Sequence, residues 1–191
     1  DLGGKFIGDG MGSVIDDVRM DVEVLAHTES GSTYSILHTS IGTFKPAFMK
    51  QNDPTRLYWS YDLSKPNNVW GELDKILGAL YTTESGHQMK IGMTCIDTGY
   101  GEQFVFNYID RRTGVYNVVG VKGDKEHKYI PYGDNSANFK IGATRPNLYI
   151  LKVSKIKDRV AGLIQLVWDK SSGEPQPPGF MNFPMSCEDP R

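Results

Sequence analysis

Cysteines are scarce in this sequence, long apolar runs are absent, and the charges nearly cancel. Cys95 sits inside an apolar run and Cys187 in a polar tail. Two thiols in such different settings read as reduced cysteines of a cytosolic protein, not as a disulfide framework. No segment reaches the roughly 18 uninterrupted apolar residues of a membrane span. The opening residues, DLGGKFIGDG, lack a basic n-region and an apolar h-region, so no signal peptide is expected, and a start at Asp1 reads as a fragment or a processed chain. With a net charge of −2, nucleic acid is neither demanded nor excluded as a partner, because a basic patch can be confined to one face. There is no HExxH and no C-x-x-C, which argues against a zinc site. A P-loop and a G-x-S-x-G elbow are also missing, which removes ATPase and serine-hydrolase readings for these residues. The histidines add little: His27 and His38 fall on the wet face of strands, and His87 and His127 in polar loops.

What is present fits one domain over residues 1–191. The chain is long enough to bury a core, with 39% hydrophobic and 23% charged residues. KFIGDGMG reads as a first, glycine-punctuated strand, and SVIDD as a turn. In VRMDVEVLAHT, Val18, Met20, Val22, Val24 and Ala26 alternate with polar residues, the period of a strand with one wet face. ESGS is a turn and TYSILHTSIGTF a third strand, so the N-terminal third is an antiparallel meander. Residues 44–66, with three prolines and the aromatics Tyr58, Trp59 and Tyr61, read as a long loop.

Trp70, Leu73, Leu77 and Leu80 then recur at helical spacing, with Asn67 or Asn68 able to cap the start. MKIGMTCID is expected to be a strand covered on both faces. GEQFVFNYIDRR is expected to be a helix and GVYNVVGVKG a further buried strand, which implies parallel neighbours joined by a crossover. Beyond Gly123 the pattern is polar and turn-rich. A helix returns with Val153, Ile156, Val160, Leu163 and Ile164 on one side, and SSGEPQPPGFMNFP is a proline-rich turn leading to an exposed tail. The sum is an α/β chain with one mixed sheet, a three-strand meander plus parallel strands, and flanking helices.

Ligands of α/β sheets gather at the carboxyl ends of parallel strands, and Asp97 stands at such an end, followed by Gly99 and Gly101. Asp9 likewise interrupts an apolar strand between Gly8 and Gly10. If those two strands lie side by side and parallel, their carboxylates converge, and hard oxygen ligands on adjacent strands suit Mg²⁺ or Mn²⁺. Two such ions about 3.5–4 Å apart assist phosphodiester cleavage. The plainer reading of an aspartate after a strand is a cap or turn former. Asp16 and Asp17 read most simply as turn residues and are the alternates for the first carboxylate. Arg111, Arg112, Lys122, Lys125 and Lys128 fall near the ends of the parallel elements and are candidate phosphate contacts; such charges are more often a solvated face.

Taken in order, CIDTGYG, VFNYIDRRTGVYNVVGVKG, the alternating strand with its glycine-containing hairpin, and GFMNFP resemble the nuclease domain of phage terminase large subunits of the lambda-type branch. In that branch a strand ends in Asp-(Thr/Ser)-Gly and the strand after the next helix closes on Lys-Gly, here Asp97-Thr98-Gly99 and Lys122-Gly123. The resemblance implies an RNase H-like fold and a metal-dependent endonuclease that cuts concatemeric double-stranded phage DNA, with Mg²⁺ or Mn²⁺ in a two-metal site. It carries the family's two strand aspartates onto Asp9 and Asp97. It implies the small terminase subunit and the portal protein as partners of the full-length protein, the host bacterial cytoplasm as its location, and no membrane. The family's further carboxylate comes from a C-terminal helix, and Glu188 and Asp189 lie in a tail of different character. That helix and the packaging ATPase are therefore expected outside these residues, or Asp16, Asp17 or Asp124 supplies the third carboxylate. Two other readings remain open: a resolvase- or transposase-type RNase H-like core, and a non-catalytic domain that docks DNA or protein.

Overall fold

A computed structural model describes residues 2–7, 14–42, 59–124, 139–142 and 144–183. It is a mixed α/β chain with the antiparallel meander, parallel strands and flanking helices of an RNase H-like fold. The elements in order are β1 (Leu2–Ile7), β2 (Val14–His27), β3 (Thr33–Gly42), α1 (Val69–Gly78), β4 (Tyr81–Thr82), β5 (Gln88–Met89), β6 (Thr94–Asp97), α2 (Glu102–Arg112), β7 (Val118–Gly123), β8 (Phe139–Ile141), β9 (Leu148–Leu151), α3 (Val153–Ile164) and β10 (Met181–Asn182).

Among the described residues, the strands do not join in the single sheet expected from the sequence. Their ladders divide into a four-stranded sheet in the order β1-β2-β3-β10, a second in the order β6-β7-β9-β8, and the small hairpin β4-β5. β1 pairs antiparallel with β2, and no described ladder joins it to β6. Periodicity reveals that a segment is a strand but not which strand it pairs with, and that is where the expectation failed. Asp16 and Asp17, read as turn residues, lie inside β2, with Asp16 opposite Lys5. β2 and β3 run antiparallel: side chains bond across them from Asp21 to Ser40, Glu23 to His38 and His27 to Thr33, so the partner number falls as the strand number rises. Val18, Met20 and Val24 are buried, whereas Arg19, Glu23, Leu25 and His27 are exposed, as the alternation demanded.

The chain divides into two compact units, residues 1–22, 40–122 and 141–150, and residues 23–39, 123–140 and 151–191. The first holds the main core. α1 begins where Asn68 accepts a hydrogen bond from the Gly71 N–H and buries Val69, Trp70, Leu73 and Leu77. Leu80 falls beyond the helix end and is half exposed. The indole of Trp70 stacks on Tyr108 of α2 at 4.6 Å between ring centroids, and its Nε1 donates to the Tyr61 carbonyl. Tyr61, expected in a loop, is fully buried, and its hydroxyl donates to the Arg19 carbonyl in β2.

A polar tie reinforces the stack. Asp74 lies one position from Leu73 on the buried side of α1, so its carboxylate needs partners. It receives both the Arg112 guanidinium and the Tyr108 hydroxyl, the latter at 2.8 Å. Burial, and then the Asp74 carboxylate beside it, push the Tyr108 hydroxyl well above the usual tyrosine range.

In the second unit, Val153, Ile156, Val160, Leu163 and Ile164 mark the apolar side of α3, but no residue of α3 is fully buried, and Ile164 is more than half exposed. Met181–Asn182, expected in the proline-rich turn, form β10, which pairs parallel with β3 at Thr33 and Tyr34.

Because the Tyr108 hydroxyl is held above its unfolded value, its contribution to stability is complete below pH about 10 and is lost as pH climbs beyond it. Urea midpoints measured at rising pH should therefore fall faster in the wild type than in Tyr108→Phe. That variant should be about 1 kcal/mol less stable at neutral pH, where the hydrogen bond to Asp74 is missing. Parallel pH profiles for the two proteins would contradict the assignment.

Candidate active site

Asp97 is the last residue of β6. This strand is shorter than the apolar run promised, because Met89 belongs to β5 and Gly92 and Met93 are exposed. β6 pairs parallel with β7, with Ile96 opposite Gly120 and Asp97 opposite Val121. The β7 and β9 backbones bond from the Gly120 N–H to the Asn147 carbonyl and from the Asp124 N–H to the Leu151 carbonyl. That constant offset makes β9 parallel as well. The strand–helix–strand crossover foreseen in the sequence is thus present as β6–α2–β7. Ile96 and Val118 pack with Val105, Phe106 and Ile109 of α2. Alternation then sends Cys95 and Asp97 to the opposite face, where both are exposed, so β6 is covered on one face and not on two.

Each residue after Asp97 has a physical task. The Thr98 N–H and hydroxyl both donate to the Val121 carbonyl, at 2.9 and 3.1 Å, and the side chain is buried. These two hydrogen bonds to one acceptor fasten the end of β6 to β7. The Gly99 N–H donates to Asp97 Oδ1 at 3.0 Å, fixing the carboxylate above the turn. A Cβ on Gly99 would stand 3.1 Å from Asp97 Oδ2, so only glycine leaves the carboxylate that position freely. Gly101 caps α2 in the left-handed region at φ 64°, a conformation that glycine adopts without strain.

Lys122 and Gly123 end β7 at the same edge of the sheet. By alternation Lys122 leaves on the α2 face, away from Asp97, and its Nζ lies 3.1 Å from Glu102 in the first turn of α2. The acidic partner of Lys122 is therefore Glu102. The sequence reading missed Glu102, although an acid in the first turn of a helix is a common signal. Arg111 and Arg112 belong to the last turn of α2, about 16 Å along the helix from its start. Arg112 is committed to Asp74 and lies over the Tyr108 ring. Asp74 was missed too; its signal was a carboxylate inside the apolar stripe of α1. Asp9, Lys125, Lys128, Glu188 and Asp189 lie outside the described residues. Asp124 follows Gly123, and its backbone N–H is bonded to Leu151.

An exposed carboxylate held at a strand end fits one ligand position of a hard divalent cation. Among the described residues, no group of three or more His, Cys, Asp or Glu side chains could hold a metal ion.

The family described as "Terminase large subunit gpA, endonuclease domain" matches residues 14–190 of this chain. Neither a curated protein nor a solved structure matches it.

The geometry separates two kinds of residue at this site. Thr98→Val, which keeps the shape and removes the hydroxyl, should cost about 1 kcal/mol in urea denaturation. Asp97→Ala, which removes an exposed carboxylate, should shift stability by less than about 1 kcal/mol. A large loss from Asp97→Ala with none from Thr98→Val would show that the turn is held together differently.

Proposed function

Because the chain belongs to the terminase large subunit gpA endonuclease domain family, we propose that it hydrolyses phosphodiester bonds of double-stranded phage DNA during genome packaging, with Asp97 as a metal-holding carboxylate. The observation that carries this reading is the Asp97 carboxylate itself: exposed, fixed by the Gly99 N–H, and standing at the carboxyl end of a parallel strand. In α/β sheets that edge is where ligands bind.

Asp97 and Asp9 would hold Mg²⁺ or Mn²⁺, with Asp16 and Asp17 as alternates to Asp9. When bound, the cations supply a nucleophilic water and charge stabilisation at the leaving oxygen. The chain's own contributions are distinct from this. Thr98 keeps the strand end from fraying, and Gly99 sets the orientation of the carboxylate. Lys122 balances Glu102 in the free protein and is available to a DNA phosphate, because an exposed ion pair of this kind holds its partners by no more than about 1 kcal/mol. The substrate is concatemeric DNA, the partners of the full-length protein are the small terminase subunit and the portal protein, and the setting is the cytoplasm of the host bacterium.

A plasmid-nicking assay tests the reading. Asp97→Ala should lower metal-dependent nicking by more than about 100-fold, beyond what loss of an outer-shell partner costs. Mn²⁺ should support more nicking than Mg²⁺, which demands near-ideal octahedral coordination. Undiminished nicking by Asp97→Ala would sink the proposal. For Lys122→Ala, the salt dependence of DNA binding should drop by roughly one phosphate contact, a slope change of about 0.9. An unaltered slope would make Lys122 an ordinary surface lysine.

A further inference from the structure

We infer that one face of α3 is a contact surface for the phosphate backbone of duplex DNA, in addition to Lys122; the inference rests on the reading that this chain acts on DNA. The segment from Lys152 to Arg159 carries Lys152, Lys155, Lys157 and Arg159 against one acid, Asp158. The chain as a whole has a net charge of −2. Its bulk charge therefore gives no attraction to a polyanion, and affinity for DNA must come from a local concentration of cations.

The cations are ordered by the helix. At about 100° and 1.5 Å per residue, Lys155 and Arg159 fall about 40° apart on α3, one turn and about 6 Å along its axis, and Lys152 stands just before the helix as its N-cap residue. One strand of B-DNA presents about two phosphates over that length of axis, at about 3.4 Å each. Lys155 and Arg159 are exposed. Among the described residues, neither Lys157 nor Arg159 takes part in a salt bridge.

Folding does not account for this placement. The first turn of α3 has no acidic residue, and no side chain caps its start. Cations at that end oppose the helix dipole, which favours negative charge there. A helix selected for its own stability would carry its lysines in the last turn, and α3 has none there. The apolar arc beside the row, with Val160 and Ile164 exposed, is a separate feature; the basic row is complementary to phosphate without it.

The test uses the 191-residue chain in EDTA, so that no cleavage occurs, and a short fluorescent duplex followed by anisotropy across a salt series. Lys155→Gln/Arg159→Gln should reduce the slope of log affinity against log salt by about 2 and weaken binding about tenfold at low salt, whatever the duplex sequence. The control Lys65→Gln/Lys90→Gln changes net charge equally at two exposed positions elsewhere and should leave the slope unchanged. Equal losses in both variants would overturn the inference, since only bulk charge would matter. So would an unchanged slope in Lys155→Gln/Arg159→Gln. A third contrary outcome is substitutions that abolish binding to phosphatidylserine vesicles while DNA binding persists. Asp97-dependent nicking separates the two readings. If nicking persists while the α3 variant binds DNA like wild type, the α3 surface is refuted and the nuclease reading stands. A wild-type chain that neither binds nor nicks DNA removes both.

Discussion

The stack of Trp70 on Tyr108 is the contact on which the first unit depends. It joins α1 to α2 face to face, and the Trp70 indole N–H reaches back to Tyr61, whose hydroxyl in turn reaches β2. Rings of this size remove large apolar areas from water, and stacking adds a further fraction of a kcal/mol to a little over one. Neighbouring Asp74 completes the link by taking both the Arg112 guanidinium and the Tyr108 hydroxyl. A half-buried charge of this kind is favoured when it is well partnered, and both of these partners are on α2. The apolar side of α2 is thereby pressed against β6 and β7 through Val105, Phe106 and Ile109.

From that clamp follows the geometry at the sheet edge. α2 fixes the face of β6 that carries Ile96, and alternation then decides where Asp97 points. Thr98 ties the strand end down, so a carboxylate exposed to water is still held in one place. The arrangement keeps the stabilising residues, Thr98 and those of α2, distinct from the exposed carboxylate. It also places Lys122 on the α2 face with Glu102, so the charges at this edge are divided between the two faces of the sheet.

Much of this was readable in the sequence where a periodic signal was strong and local. α2 was expected over the segment it occupies, with Gly101 before it, and α1 was expected with an asparagine cap and the buried stripe Trp70–Leu73–Leu77. The alternation of β2 predicted its buried face correctly. The failures share a cause: they depend on partners distant in the chain. Tyr61 does lie in a loop, as expected, but its burial could not be read there because it depends on β2, 42 positions away. The apolar run before Asp97 looked like one buried strand, yet its first part joins a hairpin and its second is covered on one face only. The grouping of strands into sheets was likewise invisible to periodicity. The strand-end position of Asp97 was legible because an apolar run followed by glycines announces a strand that closes on a turn. Glu102 and Asp74 escaped because their meaning lies in Lys122 and Arg112, 20 and 38 positions away.

As proposed above, Asp97 holds a divalent cation at the end of β6. Electron paramagnetic resonance of Mn²⁺ titrated into the protein tests it most directly, because bound Mn²⁺ loses the sharp signal of the free aqueous ion. The wild-type chain should deplete the free signal, Asp97→Asn should not, and both proteins should share the same thermal midpoint. Equal depletion by wild type and Asp97→Asn would contradict it.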